Sequence, residues 1–234
     1  MNDPIIEAHD VSKTFASGAG LVHALKGVSL ILEGGSLTLL IGPSGSGKTT
    51  LLSILGCMLA PTGGTLRICG ISTIGARPDQ LANIRRQHIG FVFQSYHLFS
   101  TLTVAENVML ALDVRGEHSP ETIAKAEEVL AAVGLRAKMA SFPRQLSGGE
   151  QQRVAIARAV VTNASAILAD EPTAALDAVN GQATMSILSA IAKDRGRTVL
   201  VVTHDSRLSS FADRIIHIED GCTTQEENNV SSPG

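Results

Sequence analysis

The segment Gly42-Pro43-Ser44-Gly45-Ser46-Gly47-Lys48-Thr49-Thr50 constrains this chain more than any other. An apolar run, Leu37 to Ile41, precedes it and reads as a buried strand. Leu51-Leu52-Ser53-Ile54-Leu55 follows it and reads as the first turns of a helix. Strand, glycine loop and helix in that order form a cradle for phosphate. The glycines let the backbone curl until its N–H groups point inward at an anion. The new helix adds its positive dipole end at the same place. In such a cradle Lys48 reaches the terminal phosphates and Thr49 sets its hydroxyl on Mg²⁺. A plain glycine turn would use the same letters, so the reading depends on what the rest of the chain supplies.

Short strands read at Ile5 to Ser12 and at Val22 to Leu32, the latter with a bend at Gly27; Phe15 falls between them in a turn-prone stretch. After the loop helix come a strand at Thr65 to Cys69, a short helix at Pro78 to Arg86 and a buried strand at Ile89 to Phe93 that ends at Gln94. From Thr103 the apolar period becomes helical through Val104, Val108, Met109 and Leu112. Ser119 and Pro120 suit the cap and first position of a second helix. A third runs from about Gly148 through Val161. Strands then return at 166–169, 198–202 and 214–218, with helices between them. Alternation around a phosphate loop predicts an α/β chain: a P-loop NTPase core with a mostly parallel sheet, an N-terminal antiparallel β subdomain and an inserted helical subdomain. The expected boundaries within this single domain are 1–94 and 162–222 for the core with its β subdomain, and 95–161 for the helical insert. The polar tail 223–234 is expected to be disordered.

Composition narrows the function classes. The chain is 44% apolar and 18% charged, which suits a packed globule, and its aromatics are scarce at 3%, so aliphatic residues fill the core. A net charge of −3 with no polybasic run argues against a nucleic-acid partner. Cys57, Cys69 and Cys222 are odd in number and far apart, which predicts a reducing compartment without a disulfide frame. The N-terminus does not read as a signal peptide. No apolar run approaches the roughly 18 residues that cross a bilayer.

Two further segments carry chemistry. Ala166-Ile167-Leu168-Ala169 is followed by Asp170 and Glu171. A carboxylate at such a strand end holds Mg²⁺ in P-loop ATPases, a role that goes to Asp170. Glu171 leaves the strand on another heading and is free to act as general base toward an attacking water. Leu146-Ser147-Gly148-Gly149-Glu150 opens a helical run. By itself it reads either as an ordinary helix capped by Ser147 or as a second anion-binding helix start.

Taken in order, the phosphate loop, Gln94 at a strand end, Leu-Ser-Gly-Gly-Glu at 146–150, Leu-Ala-Asp-Glu-Pro-Thr at 168–173, Ala-Leu-Asp at 175–177 and Val-Thr-His-Asp at 202–205 resemble the nucleotide-binding domain of ATP-binding cassette transporters. The resemblance spans about residues 5 to 221, and the Leu-Ser-Gly-Gly-Glu element is its specific part. It implies an ATPase that uses ATP and Mg²⁺. Gly42 to Thr50 would cradle the phosphates, and Phe15 would stack on adenine where many relatives have Tyr. Thr49, Gln94 and Asp170 would surround Mg²⁺. Gln94 would also contact the attacking water, His204 would contact the γ-phosphate and orient Glu171, and Lys48 would complete the catalytic set. Ser147, Gly148 and Gly149 would bind ATP held by a second copy, with Asp177 at the seam of a head-to-tail dimer. Ala174-Ala175 departs from the residues common there, which leaves the seam contacts open.

The run Ile84 to Leu98 most resembles the macrolide-exporting and lipoprotein-releasing branch. That implies export or extraction of a hydrophobic or amphipathic substrate through a separate membrane permease subunit, with a periplasmic adaptor as a further candidate partner. The chain would then work at the cytoplasmic face of the inner membrane. The alternatives are a mechanotransmitting ATPase that drives a periplasmic partner without moving solute, and a soluble cassette acting on ribosomes or DNA.

Overall fold

The computed structural model describes residues 4–18 and 20–228. Its centre is β3 (Ser36–Ile41), buried from its second residue to its last. Such a continuous apolar strand requires cover on both faces and neighbours on both edges. β8 (Thr198–Thr203) and β9 (Arg214–Glu219) supply the edges, both parallel to β3. Parallel β7 (Ala166–Asp170) and β6 (Ile89–Val92) extend the sheet beyond β8, and antiparallel β10 (Cys222–Asn228) closes it beyond β9. The order is β10-β9-β3-β8-β7-β6.

Register decides where chemistry can gather. Ile41 pairs with Thr203, and Asp170 pairs with Val202. The residues that follow these ends are the glycine loop, His204 and Glu171. Three segments remote in sequence therefore emerge at one sheet edge, the edge at which open α/β sheets bind ligands.

A second, antiparallel sheet has the order β2-β1-β4-β5. Its strands are β1 (Pro4–Ser17), β2 (Gly20–Glu33), β4 (Gly63–Ile68) and β5 (Ile71–Ser72). Helix α1 (Lys48–Leu55) lies between the sheets, where Leu51, Ile54 and Leu55 share one core with Ile6, Leu25, Leu40 and Leu200. Each such side chain contributes about 1.5–3 kcal/mol through burial. The other face of the parallel sheet packs on α5 (Gly148–Val160) and α6 (Ala178–Lys193) through Ile156, Met185 and Leu188. A third core joins α3 (Val104–Val114), α4 (Glu121–Ala132) and α5 through Val108, Leu112, Leu130 and Val154. Helix α5 thus belongs to both the helical layer and the sheet. α2 (Pro78–His88) leads into β6.

Four expectations are corrected. Phe15 lies in β1 rather than in a turn, paired with Val22. The bend at Gly27 does not divide β2; it is absorbed as a register shift near Val11 and Ser12, with Gly27 at φ 86°. Helix α4 begins one residue later than expected, and Ser119 serves it with its carbonyl, which accepts from Thr122 N at 3.0 Å, rather than with a capping hydroxyl. The tail expected to be disordered from Thr223 instead forms β10 through Asn228, while 229–234 lie outside the described residues. An edge strand needs only one paired side, and Glu226 and Glu227 pair with Ile216 and Ile215 of β9. A polar composition does not prevent that.

Candidate active site

The loop after β3 is wedged between two distant segments. Ser46 O accepts from Gly221 N at 3.0 Å, and Gly221 O accepts from Lys26 N at 2.9 Å. Gly47 stands at φ 101°, and a Cβ there would lie 2.6 Å from Ala24 O. Only glycine fits that crossing with β2. Helix α1 begins at Lys48 with no side-chain cap and no acidic residue in its first turn. Its free N–H groups and dipole therefore favour an anion. Lys48 is almost fully buried, and its Nζ donates to Gly42 O and Pro43 O, both at 2.7 Å. An ammonium tied to two carbonyls has a third donor left.

Asp170 and Glu171 differ as their headings suggest. Burial pushes the Asp170 carboxyl above the usual carboxylate range, and the neighbouring Glu171 adds to the rise; the Thr49 hydroxyl and the Lys48 ammonium oppose it. Asp170 Oδ1 is buried without a hydrogen-bond partner. Such an orphaned acceptor calls for a cation or a donor. Glu171 sits at φ 47°, a left-handed conformation that is costly for a side-chain-bearing residue. Its N–H donates to Val202 O at 2.9 Å, which fixes the turn out of β7. Its Oε1 lies 2.7 Å from His204 Nδ1.

A cleft of about 860 Å³ collects these groups. Pro43, Ser44, Gly45, Gly47, Lys48, Thr49, Thr50, Gln94, Asp170, Glu171 and His204 all line it, so most sequence-predicted residues meet there. Phe15 is not among the lining residues. Its ring is half-exposed beneath Lys13 Nζ at 5.2 Å, and its strand partner Val22 lines the cleft instead. Sequence reasoning missed Val22, His23, Ala24, Asp220 and Gly221. The only local hint was the turn pair Asp220-Gly221.

Ser147, Gly148, Gly149 and Asp177 do not line this cleft. Ser147 caps α5, with its Oγ accepting from Glu150 N at 3.3 Å while Glu150 Oε2 accepts from Ser147 N at 2.8 Å. This reciprocal box holds the Glu150 carboxyl below its ordinary range, chiefly through that backbone N–H. Asp177 caps α6, accepting from Asn180 N at 2.9 Å and Asn180 Nδ2 at 2.8 Å. A Cβ on Gly149 would lie 2.5 Å from Asn180 Oδ1, so the two helix starts abut.

The ABC transporter family profile matches residues 25–174, which include the phosphate loop, Gln94, Ser147–Gly149, Asp170 and Glu171. The chain belongs to the ABC transporter family. As an ABC cassette it is an ATPase. It is 44% identical over 218 residues to the macrolide export ATP-binding/permease protein MacB of Escherichia coli, a match that covers 93% of this chain and 34% of the relative. It is 46% identical over 217 residues to MacB of Salmonella paratyphi A, covering 93% and 33%. The chain thus spans about a third of the length of these relatives. Among solved structures, the dimeric ATP-binding cassette MJ0796 bound to ADP and Pi superposes with a TM-score of 0.87 at 44% identity, covering 95% of this chain and 98% of that one. The protein cbiO1 of Clostridium perfringens, part of the ABC transporter complex cbiONQ, superposes at 0.86 with 27% identity, covering 97% and 89%.

Proposed function

We propose that this cassette pairs head to tail with a second copy, hydrolyses ATP in two shared pockets and powers export through a membrane-spanning partner. The observation that carries the reading is the division of the site. Lys48, Thr49, Asp170, Glu171 and His204 meet in one cleft, whereas Ser147, Gly148 and Gly149 stand outside it on α5. A second copy turned through a two-fold axis offers its own Ser147–Gly149 to the open side of the cleft. The related cassette MJ0796 is described as dimeric.

In that arrangement the loop amides, α1 and Lys48 hold the phosphates, and Ser147–Gly149 of the second copy cover the γ-phosphate. Thr49, Gln94 and Asp170 offer oxygen donors that suit Mg²⁺, and the orphaned Asp170 Oδ1 points to such a need. When bound, Mg²⁺ neutralises charge that develops on the phosphates. Glu171 accepts a proton from the attacking water, and His204 holds the carboxylate toward it. Lys48 balances the charge on the departing γ-phosphate. Phosphoryl transfer to water depends on such positioning more than on covalent help. Once phosphate leaves, the ligand that joins the copies is gone and they separate.

Among the described residues no helix is long and apolar enough to cross a membrane. A second groove of about 770 Å³ suits a helix from a membrane-spanning partner. Phe91, Phe93, Phe99 and Val114 give it an apolar floor, and Arg85 and Arg86 lie on its rim. The cassette would sit at the cytoplasmic face of the inner membrane through that contact. Likeness to the macrolide export protein MacB favours an export role. Co-purification with the membrane chain tests this part: Phe99→Asp should release the cassette from it while ATP binding persists. Retention of Phe99→Asp at wild-type yield counts against the groove.

A further inference from the structure

We propose that Arg158 and Tyr96 latch the loop after β6 to helix α5, which starts at Ser147–Gly149, as positioning residues that make the two ATP sites of the paired cassettes interdependent. This rests on the paired reading above. Arg158 lies in the last turn of α5. Its Nη1 donates to His97 O at 2.6 Å and its Nη2 to Tyr96 O at 2.7 Å. A planar guanidinium fork suits two consecutive carbonyls, which a point-charge ammonium cannot serve equally.

The loop it grips is unusual. Tyr96 and His97 stand at φ 58° and 48°. Two successive left-handed residues with side chains are unfavourable unless their surroundings enforce them. Tyr96 also meets the other end of α5: a Cβ on Gly148 would lie 3.0 Å from its hydroxyl. The same residue is thus held at its carbonyl by the last turn of α5 and approaches the first residue of that helix with its hydroxyl.

Packing does not explain Arg158. Val154, Ala157 and Val161 anchor α5 in the helical core without it. The guanidinium is half-buried, and its burial lowers its pKa. Among the described residues no carboxylate pairs with it. A desolvated cation spent on two carbonyls is expensive to keep for stability alone.

The consequence follows from what the two ends do. Gln94, two residues before Tyr96, lines the phosphate cleft. Ser147, at the start of α5, serves the ATP of the other copy. A shift of Gln94 on nucleotide binding passes through Tyr96 and Arg158 to a rigid helix, and so to the opposite pocket. Coupling of this kind is reciprocal, so it appears as cooperativity in ATP, with a Hill coefficient of up to about 2 for two sites.

Hydrolysis rates titrated with Mg²⁺-ATP test the latch. Wild type should show a Hill coefficient above 1. Arg158→Met should fall measurably below wild type, toward the coefficient that ATP-driven pairing alone produces, while its ATP affinity as a dilute protomer stays within about twofold. Arg158→Lys should be intermediate, and it decides the question by the same readout if Arg158→Met does not fold. A non-cooperative wild type, or folded Met and Lys variants that keep the wild-type coefficient, overturns the latch. Gel filtration of Glu171→Gln with ATP separates the two failures. A monomer there defeats the paired reading and the latch with it; a dimer alongside unaltered cooperativity in the Arg158 variants defeats the latch alone.

Discussion

His204 Nδ1 stands 2.7 Å from Glu171 Oε1, although the two residues leave different strands of the parallel sheet. The Glu171 carboxylate is largely shielded, with 17% of its side chain accessible, while the imidazole is open at 66%. The histidine therefore meets the carboxylate from the solvent side of the cleft.

Glu171→Gln should lower the hydrolysis rate by about 10²–10⁴ while ATP still binds. His204→Ala should cost about 10², through misplacement of the same carboxylate. Because the pair acts as a unit, the double variant should be no slower than Glu171→Gln. Single-turnover hydrolysis measures all three, and a fully additive loss would separate the roles.

Asp170 carries a burial penalty on its charged form. Its folded-state pKa is raised by burial, so the native chain binds the proton more tightly than the unfolded chain. Stability then falls as pH rises from the ordinary carboxylate range through the raised value, and the penalty is complete above it. Asp170→Asn should raise the melting temperature of nucleotide-free protein at pH 7, by about 2–4 °C for each 1 kcal/mol relieved. The gain should vanish below about pH 4. Hydrolysis in the same variant should be lost, because the acceptor for Mg²⁺ is weakened. Melting scans at two pH values with EDTA are decisive.

Lys48 ties the empty loop together through Gly42 O and Pro43 O. Lys48→Ala should lower the melting temperature of the nucleotide-free chain modestly. ATP at 100 times the wild-type Kd stabilises wild type by about 2.7 kcal/mol. That shift should be absent from Lys48→Ala in a thermal-shift titration.

Much of this site was legible because its signals are local. The glycine loop, Asp170-Glu171 and Ser147-Gly148-Gly149 each declare themselves within a few residues, and strand ends place the first two at one sheet edge. The contacts that sequence could not show are long-range. Ala24 approaches Gly47 and Gly221 only because β2 crosses the loop. Val22, across the strand pair from Phe15, lines the cleft, a placement that only the pairing of β1 with β2 reveals. The left-handed turn at Tyr96 and His97 left no mark in residue type, since neither is glycine. β10 was hidden because an edge strand with exposed side chains has no apolar alternation to read.

Gly47→Ala tests the wedge between β2 and the loop. The new methyl meets Ala24 O, and the residue must hold φ 101°. The cost should be on the order of 1–3 kcal/mol or more. Loss of ATP binding together with a lowered melting temperature is expected, and a variant with wild-type values for both would refute the close crossing.

The shared pocket is measured most directly by molar mass in solution with saturating Mg²⁺-ATP. Glu171→Gln should run at twice the 24.4 kDa of one chain, and Glu171→Gln combined with Ser147→Arg should return to 24.4 kDa. A Glu171→Gln protein that stays at the mass of one chain, or a Ser147→Arg protein that hydrolyses ATP at the wild-type rate, contradicts the account.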